Sequence, residues 1–215
     1  MDPSEQLRTA RISYEQGALD ESTVAPDPFA QFQTWLDRAL HADLIEPNAM
    51  TFATVGHDRQ PSARTVLLRS FDARGFVFFT NYESRKSRDL ALSEKAALLF
   101  WWGPLQRQIR IEGTVERISA AESDAYFGAR PRGHRLSAWA SPQSRVVPDR
   151  AALEAAMQAA DERFGSGDVT RPPYWGGYRV RPTYFEFWQG RRNRVHDRIA
   201  YTQAAAGWRI ERLAP

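Results

Sequence analysis

MTFATVGHDRQPSARTVLLRSFDARGFVFFTN, residues 50–81, decides the fold. It holds three runs rich in β-branched, aromatic and aliphatic residues: MTFATV (50–55), SARTVLLR (62–69) and GFVFFTN (75–81). Links as short as HDRQ and SFDAR favour antiparallel hairpins, because a parallel crossover needs a dozen or more residues. Two more strand-like runs follow, AALLFWW (96–102) and QIRIEGTVERI (108–118), and the tail reads as strands again in YWGGYRVRP, TYFEFWQG, VHDRIAYT and GWRIERL. Helical signals interrupt the series. Phe29, Phe32, Trp35, Leu36, Ala39 and Leu40 recur at helical spacing and predict an amphipathic helix over 28–44. Ser119 and Glu122 form a capping box that opens a helix over AESDAYFGAR. Asp149 caps another from 150 to about 164, ended by Gly165 and Gly167. Six or more antiparallel strands with a few helices predict an α+β protein built on a β-barrel. Residues 1–27 carry few large apolar groups and are expected to form a flexible arm, with 28–215 as a single domain.

Composition narrows the function. A chain of 215 residues is long enough to bury a sizeable core. It has no cysteine, which excludes disulfides, thiolate catalysis and thiolate zinc sites. The four histidines are scattered without ligand spacing, so no metal is expected. No signal peptide and no membrane-spanning apolar run is present, which points to a soluble, cytoplasmic protein without a membrane partner. A net charge of +3 and a pI near 9.4 raise the question of nucleic acid. Yet only Lys86 and Lys95 of the 29 basic residues are lysines, and the arginines are spread along the chain rather than gathered. No nucleic-acid partner is expected.

Four segments concentrate chemistry. WQGRRNRVHDR (188–198) sets four arginines and a histidine beside a tryptophan. With Val195–Tyr201 as a strand, alternation would project Arg194, His196 and Arg198 from one face. Such a group wants an anionic, planar partner, or else it is a hairpin tip with a solvated basic fringe. In TNYESRKSRDL (80–90), Ser84 stands where a helix should begin, with Arg85 and Lys86 in its first turn. Cations there oppose the helix dipole, whereas a bound phosphate would use both cations and the free N–H groups; an exposed helix start is the other reading. RTVLLR (64–69) places Arg64 and Arg69 at the two ends of a strand, on opposite faces by alternation, so they are not expected to bind the same group. YFGARPRGH (126–134) puts Tyr126 and Arg130 on one helical face with His134 beyond, and ASPQS supplies Gln143 and Ser144 as polar donors. No nucleophile–base pair, paired carboxylates or glycine-rich phosphate loop appears, so reactivity is expected to come from a cofactor.

RTVLLR, FFTN with ESRK, RQIRIEG, YFGARPRG, WASPQS and EFWQGRRNRVHDR with RIERLAP together resemble the pyridoxamine/pyridoxine 5′-phosphate oxidases, from about residue 28 to the C-terminus. The resemblance implies an FMN-binding split β-barrel and a homodimer with both subunits contributing to each site. It implies that Arg64, Arg85 and Lys86 hold the FMN phosphate, with Gln143 and Ser144 from the other subunit. It assigns flavin contacts to Arg64, Thr65, Val66, Leu67, Leu68, Arg69, Phe79, Thr80, Gln108, Trp188 and Arg198. For the substrate it implies Arg69, Tyr126, Arg130 and His134 at the 5′-phosphate and Arg194 and His196, the catalytic pair, over the ring. Arg11 and Tyr14 would close over the site, with Glu46 beside it. The implied reaction oxidises pyridoxamine or pyridoxine 5′-phosphate to pyridoxal 5′-phosphate, with O2 as acceptor and H2O2 as product. Arg69 stands where the family usually has lysine, and His134 where it often has serine. A phenazine-type split-barrel oxidase and a flavin-binding protein without oxidase turnover are the alternatives.

Overall fold

The computed structural model describes residues 2–10 and 12–215; Arg11, expected near the substrate, lies outside the described residues. The deciding segment folds as its links require. β1 (Ala49–Val55) and β2 (Pro61–Leu67) pair antiparallel, with Ala49 opposite Leu67 and Val55 opposite Pro61. β3 (Ser70–Asp72) then pairs antiparallel with β4 (Gly75–Asn81), the only other strand of this segment. α3 (Arg85–Leu92), β5 (Lys95–Trp102) and β6 (Arg107–Arg117) follow. Three helices come next, α4 (Ala120–Gly128), α5 (Arg132–Ala140) and α6 (Arg150–Phe164). The chain ends in β7 (Trp175–Gln189), β8 (Asp197–Ala204) and β9 (Gly207–Arg212), and α1 (Pro3–Thr9) and α2 (Pro28–Leu40) precede the sheet.

The strands form one sheet in the order β2-β1-β5-β6-β7-β4-β3, with β8 pairing to β7 and β9 to β8. β4 pairs antiparallel with β7, as do β7 with β8 and β8 with β9. This is the expected α+β class, a mainly antiparallel split barrel with helices. By its contacts the chain divides into two compact units, residues 1–47, 99–111 and 184–215, and residues 48–98 and 112–183. β5, β6 and β7 run through both. In the first unit Phe32 packs edge-on to Phe100 and Trp35 edge-on to Phe187. In the second, Phe52 meets Phe78 at 4.6 Å, and Phe127, Leu136, Val169 and Trp175 form a further buried cluster under the helices.

Several local expectations change. The helix predicted over 28–44 stops at Leu40, where its apolar repeat stops, with His41 as C-cap. The strand expected from Val195 begins only at Asp197, because Asn193 and Arg194 both adopt positive φ (58° and 64°) in a tight turn. In the N-terminal segment α1 is followed by long-range contacts: Leu19 is buried and its N–H donates to Asp197, while Tyr201 Oη donates to the Ala25 carbonyl.

Gly113 in β6 marks a close approach of two backbones. A Cβ there would lie 2.0 Å from the Arg181 carbonyl oxygen and 3.0 Å from Pro182 Cα, neither of which can rotate away. Gly113→Ala is therefore expected to cost about 1–3 kcal/mol, read as a lower midpoint of thermal unfolding. An unchanged midpoint would contradict this packing.

Candidate active site

In the second unit, the strand β2, the end of β4, the first turn of α3, the α4–α5 junction and residues 143–144 line a cavity of about 800 Å³. Its wall carries Arg64, Arg69, Arg85, Lys86 and Arg130 together with His134, and no carboxylate. Arg64 and Arg69, expected on opposite faces, both reach this cavity: β2 ends at Leu67, so alternation does not extend to Arg69.

Lys86 is the most constrained of these cations. It is 8% exposed, and its Nζ donates to Thr80 Oγ1 (3.1 Å), Ser84 Oγ (3.1 Å) and Gln143 Oε1 (3.0 Å), all neutral. Burial, reinforced by the nearby Arg64 charge, pushes its pKa down to about 8. The local sequence builds this position. Ser84 is the N-cap of α3, yet its hydroxyl makes no cap hydrogen bond and accepts from Lys86 instead, and the first turn holds no acid. Gln143 was expected from the other subunit; here it meets Lys86 within one chain, because the turn after α5 brings it back. Ser144 follows with φ of 70°.

Arg64 is held from behind. Its Nη1 donates to the Phe52 carbonyl (3.1 Å) and Thr54 Oγ1 (2.8 Å), and Thr54 in turn donates to Asp89 Oδ2 (2.7 Å). Asp89 lies 3.9 Å from the guanidinium and partly offsets the burial that lowers the arginine's pKa. Thr54 and Asp89 are supports the motifs do not announce.

On the other side of the cavity Tyr126 stacks on Phe79 at 3.7 Å, and Phe79 stacks on Trp175 at 5.5 Å. The Arg130 guanidinium lies 4.6 Å over the Trp175 ring, and its buried Nη1 has no hydrogen-bond partner among the described residues. Burial lowers the Arg130 pKa, and the Arg69 charge adds to the effect. Trp175 and Pro131 line the cavity and were not anticipated; a tryptophan opening a strand gives no sign of its neighbours. Thr65, Val66, Leu67 and Thr80 also line it, whereas Leu68 is buried beneath.

The segment 188–198 belongs to the first unit, and its cations divide. Arg198 does not stand unanswered on a strand face: Nε and Nη2 bind Glu186 Oε1 and Oε2 at 2.9 and 3.1 Å. Glu186 is 2% exposed and also pairs with Arg110. Arg192 pairs with Glu15, and Arg191 donates to the Gly17 carbonyl. Arg194, exposed and held at positive φ, has no hydrogen-bond or ion-pair partner among the described residues. An arginine in that backbone region is uncommon and stores strain, a pattern concentrated at functional sites.

His196 packs on Trp188 (4.6 Å) and on Tyr14 (5.6 Å), and Trp188 also meets Trp101. The Arg191 N–H donates to His196 Nδ1 at 3.1 Å, which leaves the proton of the neutral ring on Nε2. Burial, then the Arg194 charge, lowers the His196 pKa against the opposing pull of Asp197. Gln108 lies in β6 and Glu46 just ahead of β1 with φ of 48°.

The comparisons agree with one another. The family profile described as pyridoxamine 5′-phosphate oxidase matches residues 36–164, and that described as pyridoxine 5′-phosphate oxidase C-terminal dimerisation region matches 175–215. A pyridoxine/pyridoxamine 5′-phosphate oxidase of Burkholderia multivorans is 60% identical over 97% of this chain and 99% of its own. That of Cupriavidus taiwanensis is 59% identical over 98% and 99%. Among solved structures, PhzG from Burkholderia lata 383, in complex with tetrahydrophenazine-1-carboxylic acid, is 30% identical with a TM-score of 0.86, covering 92% of this chain and 98% of that one. The chain belongs to the pyridoxamine 5′-phosphate oxidase family.

Proposed function

We propose that this protein is an FMN-dependent oxidase that converts pyridoxamine and pyridoxine 5′-phosphates to pyridoxal 5′-phosphate, acting as a homodimer. The observation that carries the reading is the cavity lined by five cations and no carboxylate, in which Lys86 finds only neutral acceptors and Arg130 Nη1 finds none among the described residues. Buried charges are ordinarily paired, so such a wall is built for anions. Two phosphate groups, one from FMN and one from substrate, account for the two groups of cations. Names and profiles of relatives support the same choice, and the profile over 175–215 supports the homodimer.

Arg64, Arg85, Lys86, Gln143 and Ser144 would hold the FMN phosphate, with Arg64 aimed by Thr54 and Asp89. When bound, FMN supplies the two-electron acceptor that O2 regenerates with release of H2O2. Arg69, Tyr126, Arg130 and His134 would take the substrate phosphate. Arg194 and His196 are the proposed catalytic pair. The free, planar guanidinium of Arg194 can lie over a pyridine ring while donating to its polar substituents, a geometry lysine lacks. Neutral His196 offers Nε2–H to orient the ring or carry a proton at that atom. The residues' task is positioning.

A phenazine-type ring oxidase is the second reading, favoured by the likeness to PhzG. The wider identity to the phosphate oxidases weighs against it. The test is O2 uptake with phosphorylated and unphosphorylated pyridoxamine. Removing the phosphate is expected to lower kcat/KM at least about a hundredfold, since charge-assisted hydrogen bonds contribute about 1.5–3 kcal/mol each; equal rates would contradict the assignment.

Two further outcomes follow. Arg194→Met is expected to lower kcat/KM by about a hundredfold or more while the protein keeps its flavin, as when a positioning group is lost. Undiminished turnover would remove Arg194 from the catalytic role. For Lys86, phosphate binding favours the ammonium form. FMN affinity should then fall as pH rises through the free-state pKa of about 8, above the range in which the phosphate itself titrates. Lys86→Met should bind more weakly without that fall; a wild-type affinity that rises or stays flat between about pH 7 and 9 would contradict the sign.

A further inference from the structure

Gln106 makes contacts that neither the motifs nor the proposed chemistry assign. It caps the single-turn 3-10 helix Gly103–Leu105 in a left-handed conformation (φ 53°, ψ 42°), and it is buried. Its side-chain Oε1 accepts two backbone N–H groups of the N-terminal segment, from Glu15 at 2.7 Å and Gln16 at 3.1 Å. Its own carbonyl accepts the Gly190 N–H at 2.8 Å and the Gln189 Nε2 at 3.2 Å. One residue thus holds the segment bearing Tyr14 against the strand end that leads to Arg194 and His196.

The fit around it is close. A Cβ on Gly190 would lie 2.8 Å from Tyr14 Cγ and 3.1 Å from Gln106 Cβ, so the absence of a side chain there lets Tyr14 come down. Once down, the Tyr14 ring sits edge-on to Trp188 at 5.8 Å and beside His196 at 5.6 Å. Two exposed ties lie alongside, Arg192 to Glu15 and Arg191 to the Gly17 carbonyl. Surface ion pairs contribute little. The part-buried hydrogen bonds to Gln106 are the ones that tie this segment's backbone to the strand end.

We infer that Gln106 is a positioning residue: its side-chain oxygen is the catch that holds residues 14–16 in place and so sets Tyr14 against the His196–Trp188 pair. The kinetic consequence rests on the functional reading above, in which His196 faces the substrate ring. The catch itself does not.

The chemistry separates two substitutions. Gln106→Met keeps length and removes the acceptor; Gln106→Glu keeps an acceptor oxygen. In Gln106→Met, amide hydrogen exchange in a peptide covering residues 12–18 should speed up at least about tenfold, and in Gln106→Glu it should stay near wild type. With pyridoxamine 5′-phosphate, Gln106→Met should raise KM about tenfold with kcat within about threefold, the pattern of lost uniform binding, and Gln106→Glu should restore it. Tyr14→Ala should raise KM similarly, and the double variant should add little, since both changes remove one arrangement. Unchanged exchange in Gln106→Met would overturn the catch. Faster exchange with unchanged KM, or fully additive effects with Tyr14→Ala, would overturn the positioning role. If the wild type fails to oxidise the substrate, the functional reading falls and the kinetic claim with it, while the exchange difference between the two Gln106 variants still supports the catch.

Discussion

A lysine ammonium buried among neutral oxygens is the constraint on which the account rests. Nζ of Lys86 is satisfied geometrically by Thr80, Ser84 and Gln143, but not electrostatically, and Arg64 nearby adds repulsion. Taking such a charge out of water costs several kcal/mol unless a counter-charge is supplied. The chain places Asp89 behind Arg64 rather than beside Lys86, and no carboxylate lines the cavity. The fold therefore holds open an electrostatic deficit suited to an anionic ligand. The stack of Tyr126, Phe79 and Trp175 and the Arg130 guanidinium above it extend the same logic to a second anion.

The first unit shows the contrast. Its basic segment is largely neutralised by that unit's own carboxylates: Arg198 by Glu186, Arg192 by Glu15 and Arg191 by Asp197. Of the segment's arginines, Arg194 is the one left with neither a partner among the described residues nor a relaxed backbone, beside a histidine whose tautomer is set by the Arg191 N–H. Paired and unpartnered arginines stand two residues apart in this segment, as Arg192 and Arg194 do. Composition cannot separate them; partners can.

Much of the fold was legible because its signals are local. GFVFFTN is β4 to the residue, Asp149 caps α6 through the Ala152 N–H, and the Ser119–Glu122 capping box is closed in both directions. α5 was not legible: its N-cap is Pro131, which makes no side-chain cap, and a basic first turn masks the helix. Within the site, the residues carrying charge were readable and their grouping was not. Strand alternation separated Arg64 from Arg69 and aligned Arg194, His196 and Arg198, and it failed in both places because a strand boundary falls inside the motif: β2 ends at Leu67 and β8 begins at Asp197. Glu186, Asp89, Thr54 and Gln106 act through contacts made across 10 to 91 residues of sequence, which no spacing rule reports.

The central claim is that this cation-lined cavity holds a flavin that a phosphorylated pyridine substrate reduces. The most direct measurement is the visible spectrum of the purified protein, reconstituted with FMN and titrated with pyridoxamine 5′-phosphate in the absence of air. The account predicts a flavin band that bleaches on addition of substrate and returns when O2 is admitted. A protein that FMN cannot reconstitute, or a flavin band that pyridoxamine 5′-phosphate leaves unchanged, would contradict it.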